Sequence, residues 1–543
     1  SMPKLCSGLV HLSPDFSRRI PVSLFLSFFL LNAAYCNNLR ILDSDPDSHV
    51  SVPCDPAVVG ERGCKINPLN GWYEKSLYND DFPIDHPAVS PPIDGSPYGM
   101  HVSVDKSGYI FSWQAGVAQI GPINTIPSQR KQGFVYIGLQ SEAYIQSFAG
   151  DCVQFLRSYN EPTAALYNYL SPLLCHVRVK NLPKTQGPDG YYYLYGDAAR
   201  NSTERVLRAS GSAAAGGRTY PFTIAAVADL GQTVNSTATR DRIVAGRAEL
   251  LLFPGDLSYA DAYAYDSPDR INYNGTHQRR WDAYVTLMEP LLSAVPAVYA
   301  AGNHEIEAGW NGCVICGTCD PPTHGFGPGN PCFQSFNYRF PNPRTRGWGD
   351  MSESSLYHGV DYGPIHVISL NNYIPFGPGS EQYAWFLGHV AAVDRSRTPW
   401  LIVQFHAAPY HTYYAHYKEM ECFMSFYEPL FLAYSVDLVL GGHVHAYERT
   451  HPVYKYQRNG CAPVYLSIGD GGNVEGPYRN YVDEPVSAGP LGNVTYCHLL
   501  EPALRAAAPD EWGPPYQRQA HPPSCGTISW QTAPPPAAAG GPG

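Results

Sequence analysis

The segment Gly442-His443-Val444-His445 constrains the fold of this chain more than any other stretch. It follows the apolar run 436–440, which predicts a buried strand, and glycines 441 and 442 allow the backbone to turn sharply after that strand. Two histidines one residue apart on such a turn can direct their imidazole nitrogens towards one small centre. Alone the pattern is weak, because such histidines also occur as ordinary surface or core residues.

Four further segments offer compatible metal ligands, and each ends or follows its own predicted strand. The candidate ligands are Asp229, Asp256, Tyr259, Asn303 and His406. Each alone has an ordinary explanation, since single aspartates cap helices or turns and single histidines and tyrosines pack in cores. The order of strand, ligand and turn occurs five times along the chain, and this repetition predicts a metal site.

These segments together resemble the purple acid phosphatases, which have a binuclear metal centre and belong to the calcineurin-like metallophosphoesterases. The resemblance spans roughly residues 108–478, and the stretches 229–233 and 255–261 are similar to the plant-type, high-molecular-weight branch. It implies an α/β fold: a four-layer α/β/β/α metallophosphoesterase sandwich, preceded by an all-β domain similar to fibronectin type III.

The resemblance also implies how the ligands divide between two ions. One ion would be bound by Asp229, Asp256, Tyr259 and His445, and the other by Asp256, Asn303, His406 and His443. Asp256 would then bridge the two ions. A tyrosine has an ordinary pKa of about 10, so a coordinated phenolate at neutral pH indicates a strong Lewis acid, Fe(III). The second set suits a divalent ion, which would be Zn, Mn or Fe(II).

Two histidines outside the ligand set are candidates for catalysis. His304 follows Asn303, so it can flank the substrate without binding an ion, and we expect it to protonate the leaving group. His416 matches one of two histidines in plant relatives, with Tyr417 in place of the other, and nearby His411 is an alternative. Four charged neighbours are expected to be structural rather than catalytic: Asp261, Glu305, Glu448 and Arg449.

The main functional prediction is a secreted acid phosphatase that hydrolyses phosphate monoesters by attack of a metal-bound hydroxide. Phytase-type or phosphodiesterase specificity on the same site is one alternative, because loops at the pocket rim set substrate choice and the insertion 307–331 is unfamiliar. Another alternative is a catalytically weak secreted relative that binds metal or glycan. A formal charge of −11 argues against nucleic acid as a partner. The resemblance leaves a homodimer open.

Several features predict the secretory pathway. The apolar stretch 20–34 is short for a membrane span and contains small residues suited to cleavage, so it predicts a signal peptide, with a signal anchor as the alternative. Fourteen cysteines fit an oxidising compartment. We therefore expect disulfides rather than zinc at Cys313, Cys316, Cys319 and Cys332. Sequons predict glycosylation at Asn201, Asn235, Asn274 and Asn493. The expected location is extracellular, or the vacuole or cell wall.

The predicted organisation has five parts. These are a signal peptide or anchor at 1–36, an irregular extension at 37–98, the fibronectin type III-like sandwich at 99–210, the catalytic domain at 218–505, and an atypical tail at 506–543. Short alternating segments bounded by Gly, Ser and Pro predict the strands of the sandwich. Strands that alternate with helices at 278–295, 381–393 and 419–433 predict layered α/β structure in the catalytic domain. We expect the tail to be disordered.

Overall fold

The structure is a computed structural model, and only part of the chain is described. The described residues are 64–66, 73–75, 82, 84, 86–123, 125–127, 131–159, 167–183, 190–197, 199–208, 221–263, 276–307, 332–413, 415–478 and 481. Several sequence predictions lie outside them. These concern the signal segment 1–36, the tail 506–543, the sequons at Asn274 and Asn493, and Cys313, Cys316 and Cys319.

The elements are short strands with a few helices. The strands up to residue 207 are β1 (Cys64–Ile66), β2 (Tyr73–Lys75), β3 (Tyr98–Asp105), β4 (Gly108–Ala115), β5 (Gln119–Gly121), β6 (Lys131–Gly138), β7 (Gln146–Val153), β8 (Leu156–Tyr159), β9 (Tyr167–Leu170), β10 (Leu173–Lys180), β11 (Tyr191–Gly196) and β12 (Arg205–Leu207). The later strands are β13 (Ile224–Ala226), β14 (Leu250–Pro254), β15 (Ala297–Ala300), β16 (His358–Tyr362), β17 (Ile365–Ser369), β18 (Trp400–Ala407), β19 (Leu438–Gly442), β20 (Tyr447–Arg449), β21 (Val453–Tyr454), β22 (Gln457–Arg458) and β23 (Val464–Ile468). The α-helices are α1 (Val234–Ala245), α2 (Gln278–Leu292), α3 (Gln334–Arg339), α4 (Glu381–Ala391) and α5 (Glu421–Ala433), and short 3-10 turns cover Asn303–Glu305 and Glu353–Leu356.

Two large sheets carry the fold. One has ten strands in the order β12-β11-β6-β7-β10-β4-β3-β15-β14-β13, and the other has six in the order β16-β17-β18-β19-β23-β20. Strands β13, β14 and β15 are parallel, as are β17, β18, β19 and β23. The carboxyl ends of each parallel set therefore meet at one edge of its sheet, which is where such folds place their ligands.

Apolar side chains cover both faces of each sheet. Leu252 of β14 and Ile402 of β18 belong to the core between the two sheets. The next residue along β14, Phe253, faces the core that contains α2. The next residue along β18, Val403, faces the core that contains α5. These three cores give the order helix, sheet, sheet, helix, and the prediction of a mixed α/β fold is confirmed.

Seven of the strands before residue 208 continue the sheet that leads to the predicted ligands, namely β3, β4, β6, β7, β10, β11 and β12. Strand β3 lies parallel to β15, with Ser103 beside Ala297. Tyr193 of β11 packs in the core between the sheets, and its hydroxyl donates to the Ser293 carbonyl at 2.7 Å, next to the end of α2. The fibronectin type III-like domain at 99–210 stays a prediction, and this continuity gives it a direct attachment to the catalytic strands.

The helix boundaries differ from the predicted ones by a few residues. The helix expected at 278–295 ends at Leu292, and the one expected at 419–433 begins at Glu421. Helix α1 was missed because its apolar stripe is weak. Its start is nonetheless encoded locally, since Thr233 and Ser236 form a capping box with reciprocal hydrogen bonds.

Two observations bear on the predicted secretory route. Cys152 of β7 and Cys175 of β10 form a disulfide. Asn201 and Asn235 are both exposed, so these two sequons are accessible at the surface. Among the helices in the described part of the chain, none is long and apolar enough to span a bilayer.

Candidate metal centre

The predicted ligands lie at the carboxyl edges of the parallel strands. Asp229 follows β13, Asp256 follows β14 and Asn303 follows β15, while His443 directly follows β19. His406 is a variation on this pattern, because β18 continues one residue past it. Since β14 and β18 belong to different sheets, the candidate centre lies where the edges of the two sheets meet.

Four of the predicted ligands have a left-handed backbone conformation. Their φ angles are 55° at Asp229, 52° at Asp256, 55° at Tyr259 and 68° at His443. This region is unfavourable for residues with a Cβ atom, and strongly so for a bulky tyrosine. Surrounding contacts must therefore hold these turns in place, and strained backbone of this kind clusters at functional sites.

Glu305 supplies one set of these contacts. Its buried carboxylate accepts hydrogen bonds from the backbone N–H groups of Gly302 at 2.8 Å, Asp256 at 2.8 Å and Leu257 at 2.9 Å. Burial, and then the nearby Asp256 carboxylate, raise the pKa of Glu305 to about 8. A Cβ atom on Gly302 would lie only 2.1 Å from Asp256 Oδ1, so this close approach requires glycine. Glu305 thus ties two ligand turns together, consistent with a structural role.

One group of predicted ligands gathers around Tyr259. The Tyr259 hydroxyl donates to Asp229 Oδ1 at 3.0 Å and lies 3.0 Å from His445 Nε2. His445 Nδ1 donates to the Gly476 carbonyl at 3.0 Å, which directs the opposite nitrogen, Nε2, towards the centre. The Tyr478 ring stacks on His445 with centroids 4.6 Å apart. This group contains three of the four residues predicted for the trivalent ion.

The second group gathers around Asp256. His406 Nδ1 donates to the Pro254 carbonyl at 2.8 Å, and its Nε2 lies 2.8 Å from Asp256 Oδ2. Ligand atoms of Asp256, His406 and His443 all lie within 4.8 Å of one another. Asn303 Oδ1 accepts a hydrogen bond from the Tyr373 hydroxyl at 3.2 Å, which orients its amide.

Two buried atoms in this second group make no well-formed hydrogen bond among the described residues. They are Asp256 Oδ2 and His406 Nε2. Orphaned buried polar atoms are costly unless something outside the chain binds them. Oxygen and imidazole nitrogen are ligands for divalent and trivalent metal ions, so these residues fit the metals that the resemblance implies.

The charges of the site also call for a cation. Burial alone would lower the pKa of His406, but the carboxylates of Asp256 and Asp229 outweigh it and raise the pKa to about 9. Burial, followed by the same two carboxylates, raises the pKa of the Tyr259 phenol well above its ordinary value. A positive charge between these groups would offset both effects.

His304 lies beside the ligands rather than among them. Its Nδ1 donates to Asp261 Oδ1 at 2.7 Å, and its Nε2 lies 3.8 Å from Asp256 Oδ2. The ring packs on Tyr259 with centroids 4.0 Å apart. Burial opposes protonation, but the carboxylates of Asp261 and Asp256 raise the pKa of His304 well above its ordinary value. The ring is thus fixed on one side and free to face a substrate on the other.

His416, rather than His411, faces the ligands. The His416 ring centroid lies 3.7 Å from that of His443, and its Nε2 lies 3.2 Å from the Tyr478 hydroxyl. His411 approaches the His416 backbone carbonyl at 3.2 Å. Burial lowers the pKa of His411 to about 4. His411 therefore packs against the backbone of this segment and does not face the ligands. The centroid of the Tyr417 ring lies 6.2 Å from that of the His411 ring.

Two acidic residues near the site were missed by the sequence reasoning. Glu419 Oε1 lies 3.2 Å from His443 Nε2, and Glu419 Oε2 lies 2.6 Å from His416 Nδ1. Glu475 lies 3.8 Å from Nε2 of His304 and 3.8 Å from Nε2 of His445. The spacing of three residues between His416 and Glu419 was a usable local signal, whereas Glu475 comes close only through the tertiary fold.

Comparisons with known proteins identify the family of this chain. The calcineurin-like phosphoesterase family matches residues 222–447, a segment that contains all seven predicted ligands. The chain is 33% identical to purple acid phosphatase 23 of Arabidopsis thaliana over 442 residues, which cover 77% of this chain and 90% of the relative. It is 31% identical to the phosphoenolpyruvate phosphatase of Allium cepa over 456 residues, which cover 78% and 82%.

A solved structure agrees at the level of the fold. The purple acid phosphatase isolated from yellow lupin (Lupinus luteus) seeds superimposes with a TM-score of 0.51 at 18% identity, covering 73% of this chain and 67% of that one. Fold and matches together define a calcineurin-like phosphoesterase. Within that class, the chain belongs to the purple acid phosphatase family, whose members are metal-dependent phosphoesterases, and it is therefore a hydrolase.

Proposed function

We propose that this protein is a secreted acid phosphatase that hydrolyses phosphate monoesters at a binuclear metal centre. The observation that carries the proposal is the contact between His406 Nε2 and Asp256 Oδ2. These two buried atoms lie 2.8 Å apart where the edges of the two sheets meet. Because His406 Nδ1 is held by the Pro254 carbonyl, Nε2 is the nitrogen that would coordinate an ion together with Asp256.

The two ligand groups support different ions. Asp229, Tyr259 and His445, with Asp256 as the bridge, would hold Fe(III), since only a strong Lewis acid overcomes the raised pKa of the Tyr259 phenol. His406, His443 and Asn303, again with Asp256, would hold Zn, Mn or Fe(II). When bound, the two ions would withdraw charge from the phosphoryl oxygens and acidify an attacking water.

The remaining side chains handle the substrate. His304 Nε2 would donate a proton to the oxygen of the leaving alcohol, while Asp261 holds the opposite nitrogen and stabilises the charged ring. His416 and Tyr478 would orient the phosphoryl group at the mouth of the site, since their polar atoms lie 3.2 Å apart beside His443 and His445. Proton donation thus comes from one side of the centre and positioning from another.

The cellular setting follows from the same chain. The disulfide between Cys152 and Cys175 and the exposed sequons at Asn201 and Asn235 support secretion, either to the extracellular space or to the vacuole or cell wall. Residues 99–210 would form the fibronectin type III-like part, attached through β3 to the catalytic strands.

An activity panel on the purified, metal-loaded protein tests this function. We expect hydrolysis of an aryl phosphate and of phosphoenolpyruvate below neutral pH, and much slower hydrolysis of phytate and of a diester. The name of the Allium relative states a phosphate monoester as its substrate, which supports faster hydrolysis of monoesters than of a diester. Faster turnover of the diester or of phytate would establish one of those specificities instead. A protein with two bound ions and no activity on any of these esters would indicate a metal- or glycan-binding relative.

Tyr259→Phe tests the assignment of the trivalent ion. We expect the variant to fold and to lose the visible absorption band, because a phenolate on Fe(III) produces that band and phenylalanine has no oxygen. The measurement is the visible spectrum at equal protein concentration. Tyr263→Phe is the matched control, because Tyr263 is also buried beside Tyr259 but is absent from the predicted ligand set. A colourless wild-type protein with full metal loading would instead favour a Zn or Mn pair.

A further inference from the structure

We propose that Glu419 is a positioning residue that links the divalent-ion ligand His443 to the substrate-binding His416. This inference rests on the proposed binuclear centre and concerns a residue that binds neither of its two ions. One carboxylate would orient a metal ligand through one oxygen and a phosphate-binding side chain through the other. Metal affinity and substrate affinity would then both depend on the Glu419 carboxylate.

The contacts of Glu419 carry the inference. Oε1 lies 3.2 Å from His443 Nε2, and Oε2 accepts from His416 Nδ1 at 2.6 Å. The Glu419 side chain is 8% exposed and that of His443 is 7% exposed, so water competes little for either atom. A buried carboxylate is stable only with such partners.

The backbone before helix α5 is shaped to deliver this carboxylate. His416 and Lys418, on either side of Tyr417, both have a φ of 61°, in the left-handed region. The Glu419 N–H donates to the His416 carbonyl at 3.0 Å, which closes a tight turn. Strain at two residues without glycine indicates that the direction of this segment is constrained by what its side chains contact.

The orientation of His443 explains how Glu419 would act on an ion it does not bind. The two nitrogens of an imidazole point in diverging directions, so a ring whose Nε2 faces a carboxylate has Nδ1 left for coordination. A carboxylate on the far nitrogen holds the N–H there, fixes the tautomer and makes the coordinating nitrogen more basic. The ring then cannot turn away from the ion without losing this contact.

A different reading of the cluster is a separate cation site. Ligand atoms of His416, Glu419 and His443 lie within 4.8 Å of one another, as a metal site requires. However, when Nδ1 of His443 binds the divalent ion, the neutral ring carries its proton on Nε2, and a protonated nitrogen cannot bind a cation. We therefore favour the positioning role, and the number of bound ions decides between the two.

Glu419→Gln tests the proposal, because glutamine keeps the shape but replaces one charged oxygen by an NH₂ group. We expect the divalent ion to bind about 10- to 100-fold more weakly, the usual effect of losing such a partner, while the trivalent ion stays bound. The measurements are the content of each metal after dialysis against a graded series of chelator concentrations. At saturating divalent metal, we also expect weaker inhibition by inorganic phosphate and a larger change in KM than in kcat.

Two further variants provide a control and separate the contact of Glu419 with His443 from its contact with His416. Glu428→Gln is the matched control: Glu428 is another buried carboxylate, lies on α5 and contacts Tyr410 rather than the metal ligands. It should retain metal like the wild type. His416→Ala removes only the contact between Glu419 and the substrate-binding histidine. Adding Glu419→Gln to this variant should therefore still weaken retention of the divalent ion. Unchanged metal retention in Glu419→Gln and in the double variant with His416→Ala would overturn the proposal.

Two other outcomes have distinct meanings. If the wild type binds three ions and Glu419→Gln loses only the third, Glu419 is a cation ligand and the positioning role is wrong. If the wild type itself binds fewer than two ions and hydrolyses no ester, the proposed function has failed, whatever Glu419 does. The wild-type measurements therefore test the proposed binuclear centre, and the comparison of variants tests the positioning role of Glu419.

Discussion

Asp256→Asn is expected to empty at least one metal position and to lower turnover by more than about 100-fold. Loss of a side chain that only hydrogen-bonds to a metal ligand lowers metal affinity or activity by about 10- to 100-fold. Asp256 should matter more, because it is the predicted bridge between both ions. Its Oδ2 faces His406 Nε2 at 2.8 Å, and its Oδ1 accepts the backbone N–H of His304 at 2.9 Å. An amide keeps this volume but removes the charge that both ions need. Metal analysis and steady-state kinetics measure the two effects.

Two comparisons sharpen this result. Asp229→Asn should be milder, because Asp229 is predicted to bind one ion rather than two. Asp105→Asn removes a similarly buried aspartate that pairs with Arg178 away from the candidate centre, and it should leave both ions bound. Two ions retained at wild-type affinity in Asp256→Asn would contradict the bridging role.

His304→Ala is expected to lower turnover on esters with poor leaving groups by about 10²- to 10⁴-fold, the usual contribution of a general acid. An alkoxide needs a proton to leave, and His304 Nε2 is the side of the ring that is directed towards the centre, because Nδ1 is held by Asp261. Esters of acidic phenols should lose far less activity, since those anions leave unassisted. The measurement is a series of aryl and alkyl phosphates with graded leaving-group pKa.

The controls separate proton donation from other effects. His416→Ala should raise KM more than it lowers turnover, because His416 is placed to bind the phosphoryl group rather than the leaving oxygen. His366 forms a similar pair with Asp361 at 2.6 Å, but it lies near the start of β17, at the opposite edge of the sheet. His366→Ala should therefore leave the leaving-group dependence unchanged. Equal losses on good and poor leaving groups in His304→Ala would rule out the general-acid role.

The predicted ligands could be found from the sequence because their environment is local. Apolar strands followed by glycine-rich turns are visible in the chain, and parallel strands in one sheet bring such turns to a common edge. Asp229, Asp256 and His443 follow this logic directly. The same logic predicted the mixed α/β fold, which the packing of β14 and β18 confirms.

Other features depend on contacts between distant parts of the chain. The pairing of Ser103 with Ala297, which makes the N-terminal strands part of the ten-stranded sheet, has no signal in either segment alone. The link from Glu419 to His443 depends on two side-chain orientations and on the left-handed turn at His416 and Lys418. Residue spacing can place Glu419 near His416, but it cannot show that the same carboxylate also contacts His443.

The left-handed turns at the ligands have an evolutionary consequence. Holding Asp229, Asp256, Tyr259 and His443 at positive φ costs on the order of 1–3 kcal/mol per residue. Replacement by glycine would relieve this strain wherever the side chain is idle, so selection for stability and selection for metal binding pull these positions in opposite directions. A lineage that no longer used metal would gain stability by drifting away from these residues. A tyrosine held at a φ of 55° is thus a residue that selection for metal binding would retain and selection for stability alone would not.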